Sequence, residues 1–223
     1  PPQFGHLPLI FNPEGSKMSK RDKARAARLG GRQARDARKA SGESVDSWEW
    51  LSALTGVEIN DVTSFMKKKN DSIKVAEAIA RALGIDLPMI EVMDFRKGGY
   101  LPEALNNYLA LLGWSPGNDV EVMSLQEMTD LFTIDRVGKT PARFDTDKLR
   151  WMNGEYIRAL PETRILEALT SYLEVNLSSP LHALSSSKIT EWLRLYRDRC
   201  ATFGEMELAS HFLFEAPHEY AKK

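Results

Sequence analysis

The chain has 223 residues, 43% of them hydrophobic, with 30 Lys or Arg against 31 Asp or Glu and a net charge of −1. That excludes a disordered or fibrous chain and leaves room for one large or two small globular domains. The single cysteine, Cys200, excludes a disulfide framework and a cysteine zinc site, and no run is apolar enough for a membrane span or signal peptide. A cytoplasmic protein with no membrane partner and no bound zinc is expected, with Cys200 acting as a small buried hydrophobe. The opening Pro1-Pro2 suggests a start inside a longer gene product.

Phe4 to Phe11 reads as a short buried strand, with Pro8 placing it at an edge. Asn12-Pro13-Glu14-Gly15 is a turn by composition, and Lys17-Met18-Ser19-Lys20-Arg21 follows it as an exposed loop. From Ser16 to Gly42 there are ten Lys or Arg against only Asp22 and Asp36, a block able to meet phosphates locally. Asp22 to Lys39 predicts two basic helical pieces broken at Gly30-Gly31, or a partly disordered arm. Trp48, Leu51 and Leu54 form a helical stripe, Asn60 is expected to cap a second helix, and Asp71 or Ser72 a third that Gly84 ends. The run Val75 to Gly84 has a faint helix-turn-helix look, for which ordinary bundle packing is the simpler reading.

Glu91 to Phe95 alternates and is expected to be extended. Pro102 suits a first helical position, with Leu105, Tyr108, Leu109 and Leu112 as the apolar face. Ser124 with Glu127 has the spacing of a capping box, and Asp145 starts a helix carrying Leu149, Met152, Tyr156 and Ile157. After Asp94 the only strand-like stretches are Arg136 to Gly138 and Arg143-Phe144, and from Pro161 onward the pattern is helical. The fold class is therefore mostly α.

Two lysines three residues apart on a glycine-supported turn suit a triphosphate. Lysine is a flexible point charge that follows phosphate oxygens as they move, and a charge placed in advance acts mainly on the transition state. Ser19 adds a hydroxyl donor. Taken alone, such a cluster is more often solvated surface. The flanking residues decide. Phe4-Gly-His-Leu-Pro-Leu-Ile-Phe followed by Pro13-Glu-Gly-Ser-Lys-Met-Ser-Lys-Arg-Asp22 resembles the mobile ATP loop of class I aminoacyl-tRNA synthetases, in particular the bacterial glutamyl type. Gly99-Tyr-Leu-Pro-Glu-Ala-Leu-Asn-Asn-Tyr-Leu-Ala-Leu-Leu-Gly-Trp-Ser115 and Asp135-Arg-Val-Gly-Lys-Thr-Pro-Ala-Arg-Phe-Asp145, running on to Arg158, are similar to later stretches of that family in the same order. A weaker likeness runs from Arg199 to Tyr220. Together these cover residues 1–23 and 91–223.

The resemblance implies four regions. Residues 1–23 would end the catalytic nucleotide-binding fold and carry the ATP loop, and 24–90 would be a helical basic insertion foreign to the family pattern. Residues 91–160 would form the helical stem-contact domain, and 161–223 the first part of a helical anticodon-binding domain. It also implies ATP as substrate with Mg2+, glutamate and tRNA(Glu) as partners, and a monomer that makes a glutamyl-adenylate. Lys17 and Lys20 would be the catalytic lysines, with Lys17, Met18, Ser19, Lys20 and Arg21 as the ATP loop. Lys148, Arg150, Trp151 and Arg158 are candidate tRNA-stem contacts, Trp151 also being a candidate packing residue, and Arg194, Arg197 and Arg199 are weaker candidates on one helix.

The family's paired histidine motif is missing: His6, His182, His211 and His218 do not have its spacing. Nor is there an amino-acid pocket. The expectation is a piece of a ligase, inactive alone; a stand-alone tRNA-binding module is the alternative. The basic insertion either reaches tRNA phosphates or simply solvates one face, and the sequence leaves both readings open.

Overall fold

The computed structural model describes residues 8–13 and 15–215; His6 with the rest of Phe4 to Leu7, and Ala216 to Tyr220, lie outside the described residues. The chain is mostly helical and divides into two compact units, Met18–Glu91 and Pro1–Lys17 with Val92–Lys223.

Four helices build the 18–91 unit: α1 (Arg21–Ala40), α2 (Glu49–Thr55), α3 (Ile59–Met66) and α4 (Ile73–Leu83). Their core contains Ala24 and Ala27 of α1, Leu51 of α2, Val62 and Phe65 of α3, and Val75, Ala76 and Ile79 of α4. The apolar face of α4 is spent in this bundle. The expected break at Gly30-Gly31 does not occur, and α1 runs unbroken for 20 residues. A Cβ on Gly30 would lie 2.1 Å from Ile85 Cδ1, and one on Gly31 3.1 Å from Met66 Cε. The glycines let α1 close onto its neighbours, which offsets their helix cost of about 1 kcal/mol each. Nor is Asn60 a cap: α3 starts at Ile59 behind Glu58. Ser72 does cap α4, its Oγ accepting the Val75 N–H at 3.4 Å.

The other unit holds β1 (Ile10–Phe11), α5 (Val92–Gly98), α6 (Pro102–Gly113), α7 (Leu125–Leu131), β2 (Ala142–Arg143), α8 (Thr146–Ala159), α9 (Glu162–Leu173), α10 (Ser186–Tyr196) and α11 (Phe203–Ser210). β1 and β2 pair in parallel, Ile10 opposite Ala142 and Phe11 opposite Arg143. Both β1 residues are only half-buried, so the expected buried strand is here a short, partly exposed one. Val92 to Gly98 is helical, not extended. Only Phe95 of that helix is buried, while Val92 and Met93 face solvent, so the apolar alternation there does not report a buried face.

Buried asparagines tie the loops of this unit to α6 and α8, which pack together. Asn107 Oδ1 accepts the Met123 N–H at 2.9 Å and the Tyr156 hydroxyl at 2.8 Å. Asn153 Oδ1 accepts the Leu101 N–H at 2.7 Å, and its Nδ2 donates to the Ala201 carbonyl. The capping box of Ser124 and Glu127 and the Asp145 cap, whose Oδ1 accepts the Lys148 N–H at 2.9 Å, form as expected. Both are local signals that need no tertiary partner.

Candidate functional site

The lysine loop is built in two parts. Before it, Asn12 and Ser16 close the turn: the Asn12 N–H donates to the Ser16 carbonyl at 2.8 Å, and the Ser16 N–H donates to Asn12 Oδ1 at 2.8 Å. Gly15 takes a left-handed φ of +84° there, and Lys17 bridges antiparallel to Phe11. Hydrogen bonds thus define the turn that leads into the loop. Lys17 belongs to one unit and Met18 to Arg21 to the other.

Lys20 is the N-cap of α1, and Arg21 its first residue. Asp22 steadies this end, its Oδ2 accepting the Ser19 N–H at 2.9 Å. Lys17 and Lys20 are exposed, and Met18 and Ser19 half-buried. Lys20 and Arg21 therefore stand at the positive end of a long helix, where unpaired backbone N–H groups favour an anion.

The Lys20 ammonium lies 2.9 Å from Glu91 Oε1, and Arg21 3.4 Å from Asp71. Lys23, one turn on and only 2% exposed, lies 3.3 Å from Glu91 Oε2 and 3.7 Å from Glu77. Sequence reasoning misses this cluster. Lys23 shares the inner face of α1 with Ala24 and Ala27, a spacing that shows it from sequence, whereas Glu91 is remote and carries no local signal.

Hydrogen bonding from Lys20 first, then Lys23, holds the Glu91 carboxyl below its ordinary value of 4.5. A carboxyl depressed by folding stabilises the native state above its unfolded pKa, and that contribution fades as pH falls through the folded value. The Glu91→Gln variant is therefore expected to lose part of the fall in melting temperature seen below about pH 4.5, as read by thermal denaturation across that range. An acid limb identical to the parent's would mean that the pair does not act on folding.

The stem-contact candidates lie on α8. At 100° per residue Trp151 and Arg158 lie about 20° apart on the helix, with Lys148 and Arg150 flanking them on opposite sides. Each cation already has a carboxylate: Lys148 pairs with Glu121, Arg150 with Glu205 and Arg158 with Glu155. Trp151 is 44% exposed, not packed into the core, whereas Trp114 is buried. An exposed tryptophan beside exchangeable surface ion pairs leaves this face able to meet an RNA, since such pairs contribute little to stability.

The α10 set does not hold together. Arg194 forks onto Glu162 with two contacts of 2.7 Å. Arg197 lies just past the helix and donates to the carbonyls of Ile157, Arg158 and Leu160 at 2.8, 3.0 and 3.1 Å, capping the end of α8. Arg199 lies beyond the helix altogether. Cys200 is buried, as expected, and burial pushes its thiol pKa up.

Comparison with known proteins supplies the frame for these features. The family model of the catalytic domain of class I tRNA synthetases of the E and Q type matches residues 86–151. A glutamate–tRNA ligase of Bacteroides thetaiotaomicron is 34% identical over 224 residues, covering 100% of this chain and 34% of the ligase. One from Desulforudis audaxviator is 37% identical over 134 residues, 59% of this chain and 27% of its own length. Among solved structures, a glutamate–tRNA synthetase from Elizabethkingia anophelis aligns with a TM-score of 0.48 at 22% identity, over 79% of this chain and 39% of that one.

Over residues 86–151 the chain is thus similar to the class I tRNA synthetases of the glutamate and glutamine type. Within that class its curated relatives are glutamate–tRNA ligases, and it spans about a third of their length. The Bacteroides alignment takes in the whole chain, so the 18–91 unit is no peculiarity of this sequence.

Proposed function

We propose that the chain supplies the ATP loop and tRNA-contacting region of a glutamate–tRNA ligase, a cytosolic monomer. The observation that carries this reading is the Lys17 to Arg21 motif at the N-terminus of α1, in a chain that aligns throughout with such ligases. In the reaction a glutamate carboxylate oxygen attacks the α-phosphorus of ATP, the bond to the departing pyrophosphate breaks, and the glutamyl group then passes to tRNA(Glu) with loss of AMP. Lys20 stabilises charge on the phosphates as that bond breaks, and Lys17, Ser19 and Arg21 position them. Mg2+ arrives with ATP as part of the substrate; among the described residues no cluster of three or more His, Cys, Asp or Glu could hold a metal. No described helix is long and apolar enough to cross a membrane.

The α8 face of Trp151 and Arg158 would meet the tRNA stem, with Lys148 and Arg150 flanking it. The 223-residue chain alone is expected to bind a tRNA(Glu) transcript, with affinity falling as salt rises, and to show neither ATP–pyrophosphate exchange nor glutamylation. Glutamylation by the chain alone would contradict the assignment of the remaining catalytic groups to other parts of the ligase. Failure to retain the transcript at low salt would remove the tRNA-contacting role.

A further inference from the structure

The basic block is not uniformly solvated. Part of it is consumed inside the 18–91 unit, and Arg25 and Arg32 meet at one cavity. Arg28 is nearly buried: its Nε donates to the Phe65 carbonyl at 2.7 Å, its Nη2 donates to the Asn70 carbonyl and to Asp71 Oδ1, and its guanidinium lies 4.4 Å from the centre of the Phe65 ring. Arg35 and Arg38 lie over Trp48 and Trp50 at 4.7 and 4.8 Å. These side chains brace the bundle.

Arg25, Arg28, Leu29 and Arg32 follow the i, i+3, i+4, i+7 spacing of one helical stripe. With Lys68 they line an open cavity of about 140 Å³. Lys68 takes a left-handed φ of 61°, unlike any other described non-glycine residue. A lysine there is less favourable than the glycine usual just past a helix end. Arg28 fixes the 65–71 turn that carries Lys68, so the cavity wall is formed before any ligand arrives. Four cations face it, while among the described residues only Asp22 and Asp71 pair with any of them, bonding Arg25 at 2.7 Å and Arg28 at 2.6 Å. Arg32 and Lys68 have no hydrogen bond or ion pair to a described side chain.

We infer that this cavity is a phosphate site for an RNA backbone, with Arg32 and Lys68 as its unpaired cations and Arg25 beside them. The inference rests on the tRNA-binding reading above and assigns it a definite place in the 18–91 unit. Volume and charge suit phosphodiester groups with their inner waters, at roughly 30 Å³ per water. The arginine stripe rises about 10 Å along α1, a track for successive phosphates and longer than one phosphate needs. Lys67 and Lys69 extend the charge on the same turn, both exposed. The exposed Leu29 between the arginines offers an apolar surface to a ribose.

The test uses the full chain and a tRNA(Glu) transcript, with binding followed by fluorescence anisotropy across a salt series. Lys68→Gly removes the cation and suits the backbone, so its melting temperature is expected to be equal or higher. Its slope of log K against log salt is expected to be shallower by about 1, and that of Lys68→Gly with Arg32→Ala by about 2. At 0.1 M salt each substitution is expected to weaken binding roughly 5- to 10-fold. Parental slopes in folded variants would overturn the site while leaving tRNA binding intact. If the parent chain itself does not bind the transcript, the site and the wider reading fall together.

Discussion

Replacing Lys20 by alanine in a ligase that carries this chain is expected to slow glutamyl-adenylate formation on the order of 10²- to 10³-fold, as removal of one pre-placed transition-state charge partner does. The effect is expected in the chemical step and not in folding. Lys20 is 68% exposed in its pair with Glu91, and such exposed pairs contribute little to stability. The buried cation of the cluster, Lys23, keeps both its carboxylates in the variant. ATP–pyrophosphate exchange isolates adenylate formation from tRNA charging and is the measurement to make. Exchange close to the parent's would remove Lys20 from the mechanism. Lys20→Arg keeps the charge but exchanges a compact ammonium for a planar fork, so only partial rescue is expected.

Gly99→Ala is expected to destabilise the unit containing α5 to α11 by about 3 kcal/mol or more, through left-handed strain and overpacking together. Gly99 has a φ of +81°, and a Cβ there would lie 2.6 Å from the Phe203 backbone nitrogen, 2.7 Å from Phe203 Cβ and 2.9 Å from the Gly204 nitrogen. The Gly99 carbonyl also accepts the Phe203 N–H at 3.3 Å. Backbone cannot swing aside as the tip of a side chain can, so α11 would have to move. Gly42 is the control, with a φ of +89° but nothing within 4 Å of where its Cβ would stand. Gly42→Ala should therefore carry only the conformational cost, about 1 kcal/mol. Thermal denaturation separates them, since a destabilisation of this size lowers the melting temperature by roughly 6–12 °C in a chain of this length. Equal melting of the two variants would show that the close approach of Gly99 to Phe203 carries no energy.

These two residues also show what the chain discloses in one dimension. Lys20 draws its expected role from a resemblance running over long flanking stretches, whereas the caps at Ser72, Ser124 and Asp145 are legible locally, because each is satisfied within three residues. Gly30-Gly31 misleads for the opposite reason. The helix cost of glycine is local, while its gain depends on Ile85 and Met66 far along the chain. The segment Val92 to Gly98 misleads because three of its apolar-looking positions are not equally buried. Arginines are the least legible. Arg28, Arg32 and Arg197 look alike in sequence, yet one clamps a turn, one lines a cavity and one caps a helix. A guanidinium has enough reach and donors to do any of these, and only the positions of distant carbonyls and carboxylates decide among them.

The pair between Lys20 and Glu91 closes the four-helix unit on itself. Lys20 is near the first residue of the four-helix unit, and Glu91 is its last. A segment whose two ends are held within one ion pair needs only a narrow gap in a host chain. Closing a longer excursion of this kind adds little entropy cost, about 0.6 kcal/mol for each doubling in length. The 18–91 unit thus holds its own ends together, through Lys20 and Glu91 2.9 Å apart.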